Sequence, residues 1–315
     1  MKKVKRFISS NSALVGLVLL VIAGTAIQST FLSATNMSSL LRQASITGFL
    51  AIGMTFVVLC GSIDLSVGSV FAVGGFLMLH FSQYSLILAL VITIVFAVVV
   101  GAVNGLLITK LSIPPFIGTM ATMEICRGIV QKLTGEVTYK LANTSPVILG
   151  ISKSDVAGIP LPFLLFILMT LVTALILNKR KLGRNMYIVG GNAEAARMMG
   201  VSETKTIISA HILCAICAAL GGIIFMSRNG VALPLAGTGY EMYAVAAVVI
   251  GGASLNGGIG KISGTFIGSL IMASFTNIFS LQSWVDAVWQ DVAVGGILLA
   301  VIYVQVIVTS RAKAF

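Results

Sequence analysis

Charge is scarce in this sequence of 315 residues. Asp, Glu, Lys and Arg make up 9% of the chain, whereas they make up about a quarter of a typical soluble domain. Hydrophobic side chains account for 57% of the residues, and the mean hydropathy is +1.06. Because so few charges cannot cover a soluble globule of this length, that class of protein is excluded. The sequence predicts an all-α, polytopic membrane protein that forms a single transmembrane domain over residues 1–315.

Histidines, cysteines and acidic residues are also few, and their spacing forms no known site motif. His80 and His211 are isolated in the sequence, and no His-Glu-x-x-His, paired-carboxylate or P-loop motif occurs. We interpret the four cysteines, which lie in apolar stretches, as packing residues. We therefore expect no metal, no cofactor bound by this chain and no catalytic residues. This expectation disfavours a membrane-embedded enzyme.

Basic residues outnumber acidic ones by 20 to 9. In a soluble protein this excess would suggest nucleic-acid binding, but in a membrane protein Lys and Arg mark the cytoplasmic loops. We therefore expect a protein of the bacterial cytoplasmic membrane, in contact with the lipid bilayer and with no nucleic-acid partner.

The gaps between charged residues define about ten candidate transmembrane helices, each close to the length of about 20 residues that a bilayer requires. They cover residues 13–31, 44–60, 65–80, 86–109, 115–131, 161–178, 207–226, 240–257, 263–281 and 288–309. If the chain starts inside the cell, most Lys and Arg residues fall on the cytoplasmic side. The pattern predicts cytoplasmic N- and C-termini and a large cytoplasmic loop at 179–206.

The segment 44–79 is nearly continuous apolar sequence and is too long for one span. We expect either two spans joined by a tight turn or a broken helix whose irregular backbone is sheltered by other helices. Asp64 lies at the interruption, between Ser62 and Ser66. A carboxylate in such a segment is usually retained beside a polar pathway, although Asp64 as a cap of the following helix is an equal alternative.

Three other charged or polar features fall in or beside the predicted spans. Glu241 and Asn256 are candidates for a polar path through the second half, with capping or interfacial roles as the alternative. Glu124 and Arg127, three residues apart on one predicted helix, are expected to pair with each other for structural reasons.

The loop at 179–206 contains a predicted short helix. Asn192 is a suitable N-cap, residues 193–199 are strong helix formers, and Gly200 is a typical stop. The loop is either a basic anchor of membrane orientation or a docking element for a cytoplasmic partner. The second interpretation is favoured because orientation requires charge but no capped helix with an apolar Met198 and Met199 edge.

Glycine patterns predict close helix contacts and a weak internal repeat. The pairs Gly101/Gly105 and Gly264/Gly268 have the spacing that lets neighbouring helix backbones approach. Residues 57–61 resemble residues 248–252, and each stretch precedes a glycine-rich polar segment. This similarity suggests two related halves.

Several ordered motifs resemble one known family along almost the whole chain. They are AIGMTFVVL (51–59), IDLSVGS (63–69), PFIGT (115–119), LGRNMYIVGGN (182–192), AGTGYE (236–241), AAVVIGG (246–252) and GTFIG (264–268). Together they strongly resemble the ribose-type permeases of bacterial ATP-binding-cassette (ABC) sugar importers. Ser62 departs from the glycine that many members have.

The resemblance implies an integral-membrane subunit that forms a dimer with a second permease copy. It implies delivery of substrate by an extracytoplasmic binding protein and coupling to a cytoplasmic ABC ATPase, which binds ATP and Mg. By motif, the coupling loop would include Gly191, Asn192, Glu194, Ala195, Ala196, Arg197 and Gly200.

We therefore expect a permease that imports a monosaccharide, with ribose as first choice, by alternating access. The alternative is a stand-alone secondary transporter, which would require ionisable groups inside the membrane to couple transport to an ion gradient.

Overall fold

The computed structural model describes residues 12–141, 145–282 and 287–313, and these residues are predominantly helical. The helices are α1 (Ser12–Ile27), α2 (Ala34–Leu59), α3 (Val67–Phe81), α4 (Leu86–Lys110), α5 (Pro115–Thr134), α6 (Pro146–Lys153), α7 (Leu161–Lys179), α8 (Lys181–Gly191), α9 (Ala193–Met198), α10 (Glu203–Asn229), α11 (Tyr240–Ile250), α12 (Ile262–Ser280) and α13 (Ala287–Lys313). The strands β1 (Asp155–Val156) and β2 (Ile159–Pro160) form a small antiparallel hairpin before α7.

Each of the ten candidate spans overlaps one of these helices, which confirms the predominantly helical fold and is consistent with a polytopic membrane protein. Among the described residues, five helices are long and apolar enough to cross a bilayer: α2, α4, α7, α10 and α12. Two boundaries were wrong: α2 begins at Ala34 and not near residue 44, and α11 ends at Ile250, because a glycine-rich loop replaces helix at 251–257. The basic residues at positions 2–6 lie outside the described residues. The number of crossings and the side of each terminus remain predictions.

Helix α10 is central, with α2, α3 and α4 packed around it. Its contacts with α4 need glycine, because a Cβ at Gly101 would lie 2.5 Å from Ile212 Cα and one at Gly105 would lie 2.5 Å from Ile208 Cα. The predicted small-residue contact at this pair is confirmed. All four cysteines are buried and form no disulfide bond, in agreement with the interpretation of them as packing residues.

A second group of helices, α11 and α12, packs against α2. The glycines of the other predicted pair bring α11 and α12 together, since Cβ atoms at Gly264 and Gly268 would overlap the carbonyl oxygens of Gly251 and Ala247. Away from this interior, α4 exposes an apolar stripe, as expected for a lipid-facing helix surface. The stripe includes Ile87, Val91, Val95 and Val99.

The apolar segment 44–79 has features of both structures that the sequence suggested, namely two spans joined by a turn and a helix broken by sheltered, irregular backbone. Helices α2 and α3 run in opposite directions along α10, and residues 60–66 between them are irregular. All but Gly61 and Ile63 in this break are buried. Its polar backbone is therefore sheltered by other helices.

The weak sequence repeat has a structural counterpart in two similar helix ends. At the end of α2, Gly61 has φ +72° and Ser62 N–H donates to Val57 O at 3.1 Å. At the end of α11, Gly252 has φ +89° and Ala253 N–H donates to Val248 O at 3.1 Å. Both are glycine stops of the Schellman type, at matching positions of the two similar segments.

Both helix ends lie towards the same side of the molecule as α8 and α9, which we name the α9 end. Helices α4 and α7 also finish at this end, and α10 begins there. At the opposite end, α2 begins and α10 and α12 finish, so each of these helices joins the two ends of the molecule.

Candidate functional site

The short helix predicted in the polar loop is confirmed as α9. The Asn192 side chain accepts a hydrogen bond from Ala195 N–H at 2.9 Å, which is an N-cap. Gly200 has φ +74°, and Val201 N–H donates to Ala196 O at 2.9 Å. The Asn192 cap and the Gly200 stop both act on backbone groups within a few residues of the helix ends. Helix α8, which precedes α9, was not predicted.

Helix α9 presents apolar surface to solvent. Met198 is 86% exposed and Met199 is 63% exposed, while Ala196 on the other face is fully buried. Arg197 Nε donates to Glu203 Oε2 at 2.8 Å and ties α9 to the first turn of α10. An ordered helix with exposed methionines next to an exposed Glu194 has the character of a contact surface. Its role in coupling remains a prediction.

A backbone junction connects α8 to the break between α2 and α3. A Cβ at Gly190 would overlap Leu59 O, the oxygen that accepts a 3.0 Å hydrogen bond from Gly258 N–H. A Cβ at Gly257 would lie 2.7 Å from both Gly190 O and Gly61 N. We name these five residues, Leu59, Gly61, Gly190, Gly257 and Gly258, the glycine junction.

One side-chain contact reinforces the glycine junction. The Tyr187 hydroxyl of α8 donates to Gly260 O at 3.0 Å. Burial raises the pKa of Tyr187, so the phenol remains protonated and able to donate. Displacement of α8 would therefore act directly on the end of α2 and on the loop after α11.

Asp64 is the centre of a fully buried polar network. Its Oδ2 lies 2.9 Å from His211 Nδ1, and Ser66 donates to Oδ1 through N–H at 2.9 Å and through Oγ at 2.6 Å. Asn104 Nδ2 lies 3.2 and 3.3 Å from the two carboxylate oxygens, and Ser62 Oγ lies 3.1 Å from His211 Nε2. His211, which is isolated in the sequence, is thus the partner of Asp64 in the fold.

The network joins the break, α3, α4 and α10 at one point. The cap interpretation is correct in part, because Asp64 accepts the N–H of Ser66, the residue just before α3. A carboxylate buried at this depth is retained only when its hydrogen bonds are satisfied, and here they are. This geometry favours a structural clamp, and a role for Ser62, Asp64 or Ser66 on the substrate path remains a prediction.

The remaining candidates from the sequence lie in other surroundings. Glu241 Oε1 accepts a hydrogen bond from Gly239 N–H at 3.2 Å beside the start of α11. Asn256 is exposed in the loop at the α9 end. The expected pairing of Glu124 with Arg127 was wrong as the main contact of Arg127. Its Nη1 donates instead to the carbonyl oxygens of Pro234 and Ala236 at 2.9 and 2.7 Å.

A polar cavity of about 400 Å³ lies at the end opposite α9. Small-molecule pockets typically measure roughly 300–1,000 Å³. Its described lining comes from five helices and consists of Ser39, Gln43, Thr47, Arg228, Tyr240, Tyr243, Met272, Ala273, Thr276, Asn277, Ser280 and Gln290. All but Met272 and Ala273 carry a hydroxyl, amide or guanidinium group, and none of the residues named here is an acid. The cavity therefore suits a polar solute.

The sequence reasoning missed this cavity, although one signal of it was present. Ser39, Gln43 and Thr47 recur every four residues on α2 and so lie on one face of that helix. A polar stripe on a largely apolar helix indicates a polar neighbour or a water-filled space. None of the five residues proposed for the path, Ser62, Asp64, Ser66, Glu241 and Asn256, belongs to the described lining.

Towards the α9 end, the helices around the cavity close together. Thr55 Oγ1 of α2 and Thr265 Oγ1 of α12 are hydrogen-bonded at 2.8 Å, and both side chains are fully buried. Beside them, Gly251 and Gly264 bring α11 and α12 into backbone contact. The cavity is therefore separated from the α9 end by a packed layer of helices.

A helical membrane protein with a polar cavity at one end and an ordered, exposed helix at the other has the organisation of a transport permease. Residues 36–302 match the family described as "Branched-chain amino acid transport system / permease component", and the chain belongs to this family. Within the described residues, no group of three or more His, Cys, Asp or Glu side chains is placed to hold a metal ion.

Curated relatives extend over nearly the whole chain. The ribose import permease protein of Haemophilus influenzae is 33% identical over 304 residues, which cover 95% of this chain and 94% of the relative. That of Bacillus subtilis is 38% identical, with 90% and 88% covered. The xylose transport system permease protein of Haemophilus influenzae is 33% identical, with 87% and 90% covered. No solved structure matches the chain.

Proposed function

We propose that this chain is the permease subunit of an ABC importer that moves a monosaccharide, ribose first, into the cytoplasm by alternating access. The polar cavity at the end opposite α9 is the observation that carries this proposal. If α9 faces the cytoplasm, the cavity opens towards the extracytoplasmic side, where a binding protein would deliver the sugar.

The chemistry of the cavity distinguishes between the two substrate classes that the names of the family and of the relatives suggest. A branched-chain amino acid carries an apolar side chain that is bound most favourably by apolar surface. Hydroxyl, amide and guanidinium groups dominate the described lining, and such groups pair with the hydroxyls of a sugar. The relatives named as ribose and xylose permeases agree with this preference.

The coupling partner would be a cytoplasmic ABC ATPase that docks on α9 and binds ATP and Mg. The residues proposed for this contact lie in α9, at the end of α8 and in the turn after α9: Gly191, Asn192, Glu194, Ala195, Ala196, Arg197 and Gly200. Met198 and Met199 add exposed apolar area to the same surface. A second copy of the chain would complete the translocation unit in the bacterial cytoplasmic membrane.

A stand-alone secondary transporter is the second candidate, and the buried Asp64 and His211 pair is the observation that favours it. Ionisable pairs inside the membrane are typical of proton-coupled transport. The pair is, however, enclosed by protein and lies outside the described lining of the cavity. An ATP-driven importer therefore accounts for more of the structure.

Copurification with reconstitution tests the proposal. The chain is expressed together with the ABC ATPase and the binding protein proposed as its partners, and ATP hydrolysis is measured in liposomes with ribose, xylose or leucine. We expect a stable complex whose ATPase activity and uptake respond to ribose-loaded binding protein. Uptake that depends on a proton gradient and not on ATP would favour the secondary transporter, while a response to leucine alone would reject a sugar substrate.

A further inference from the structure

We infer that Gln43, Arg228 and Tyr240 form a transient sugar subsite, which holds two neighbouring hydroxyls of a monosaccharide inside the permease. The inference rests on the proposed function and deepens it, because it names the groups that receive the sugar after the binding protein releases it. These three side chains come from α2, α10 and α11 and meet in the polar cavity.

The first step of the argument concerns the partners of Arg228. Its Nη1 donates to Gln43 Oε1 at 3.2 Å, and its Nη2 donates to Ser39 Oγ at 3.3 Å. Both acceptors are neutral, and both distances are longer than those of charge-assisted pairs. By contrast, Arg42, the residue before Gln43 on α2, forms an ion pair with Asp155 at 2.6 Å. Within the described residues, Arg228 is therefore held in place by neutral acceptors only.

A guanidinium group held in this way can exchange its partners. It offers five N–H donors in a planar fork, and a pair of adjacent hydroxyl oxygens can accept two of them. The Gln43 amide can both donate to a hydroxyl and accept from one. The long hydrogen bonds of Arg228 to Gln43 and Ser39 can therefore be exchanged for bonds to a sugar, at a small net free-energy difference.

The second step concerns the aromatic side of the same cavity. The rings of Tyr240 and Tyr243 lie 5.9 Å apart, and the Phe71 ring contacts Tyr240 edge-on at 5.4 Å. Phe71 is fully buried, so it fixes the position of the Tyr240 ring. An aromatic ring offers an apolar face and a polar hydroxyl, which suits the C–H face and the hydroxyl edge of a sugar ring.

The third step concerns affinity. A translocation site must bind its solute strongly enough to admit it and weakly enough to release it. The neutral hydroxyls of a sugar meet this condition, because they replace neutral partners of Arg228. A carboxylate would instead bind Arg228 through its charge and resist release. We therefore expect weak binding of ribose, and a strong effect on transport when Arg228 is neutralised.

The test uses the complete importer in liposomes and the variant Gln43→Glu. The substitution keeps the size of the side chain but gives Arg228 a carboxylate partner, so we expect the maximal ribose uptake rate to fall about tenfold or more, the effect of one lost hydrogen bond in the limiting state. The KM for external ribose should change less than about twofold, because the binding protein selects the external sugar. Gln83→Glu, at the same end but outside the described lining, is the matched control.

A structural role for Gln43 predicts a different result, namely a loss of membrane abundance and thermal stability in parallel with uptake. Gln43→Glu should instead be at least as heat-stable as the wild type, because it adds an ion pair. Arg228→Lys, which keeps the charge and loses the planar fork, should also lower the maximal rate with ATPase copurification intact.

Wild-type uptake rates in both variants would overturn the subsite, as would a loss of uptake fully explained by reduced abundance. Failure of the wild-type chain to copurify with an ATPase or to import ribose would reject the proposed function itself. The two failures are therefore distinguishable.

Discussion

The Nδ1 atom of His211 lies 2.9 Å from Oδ2 of Asp64, and neither side chain is exposed to solvent. The pair connects the first third of α10, about two helical turns from its start, to the break between α2 and α3. At the α9 end of the same break, the glycine junction meets α8. The break is therefore held from one side by α10 and from the other by the helices of the proposed coupling surface.

The first prediction concerns the buried pair. Asp64→Asn retains one capping oxygen but loses the negative charge that faces His211. We therefore expect the free energy of unfolding to fall by about 1–3 kcal/mol. His211→Gln should have a similar effect, and the double variant should lose less than the sum of the two. Thermal unfolding of purified protein in detergent measures all three. Additive effects would show that the two side chains do not depend on each other.

Asp64→Asn also tests whether transport depends on the buried network at the break. We expect ribose uptake per inserted molecule to fall, since transport requires the break to hold its shape. Uptake normalised to membrane abundance is the measurement. A variant with unchanged uptake and unchanged stability would leave Asp64 with only the local capping role.

The third prediction compares two neighbouring glycines. Gly190→Ala places a methyl group against Leu59 O, whereas a Cβ at Gly191 meets no other heavy atom within 4 Å. We expect Gly190→Ala to lower both thermal stability and uptake, and Gly191→Ala to change stability by no more than about 0.5 kcal/mol. Unfolding and ribose uptake are measured for both. Equal behaviour of the two variants would contradict the close contact at the glycine junction.

The fourth prediction concerns the proposed docking surface. Glu194→Arg reverses an exposed charge, and such a change is tolerated in a monomer unless a partner contacts it. We expect normal insertion but reduced ATPase copurification and uptake. Gly200→Val should act differently, because a β-branched residue is strained at φ +74° and would disturb the end of α9. Glu136→Arg, at the opposite end, is the charge-reversal control.

If Glu194→Arg and Gly200→Val both bind the ATPase and transport normally, the loop at 179–206 is only an anchor of membrane orientation. Reduced membrane abundance of Gly200→Val together with normal coupling of the remaining molecules would limit its effect to folding.

The fifth prediction concerns orientation in the membrane. All four native cysteines are buried, so an introduced cysteine can be labelled selectively. Met198→Cys should react with a membrane-impermeant thiol reagent only from the cytoplasmic side, and Val137→Cys only from the outside. Both wild-type side chains are exposed, at 86% and 64%. Labelling of both positions from the same side would reject the assigned topology.

The sequence by itself determined the features that depend on near neighbours in the chain. Apolar runs fixed the helices and their approximate number, because burial in lipid requires a long apolar segment whatever its neighbours are. Asn192 and Gly200 defined α9 because a cap acts on N–H and C=O groups within a few residues. The similar helix ends at Gly61 and Gly252 were visible for the same reason.

Only the tertiary structure decided which distant groups meet. His211 and Asp64 are 147 positions apart, and the pattern around each gave no sign of the other. Arg127 Nη1 donates to the carbonyl oxygens of Pro234 and Ala236, because the turns between α10 and α11 leave backbone acceptors available that a regular helix does not. The polar cavity needed side chains from five helices. Its position follows from how those helices pack, and packing is a property of the assembled chain.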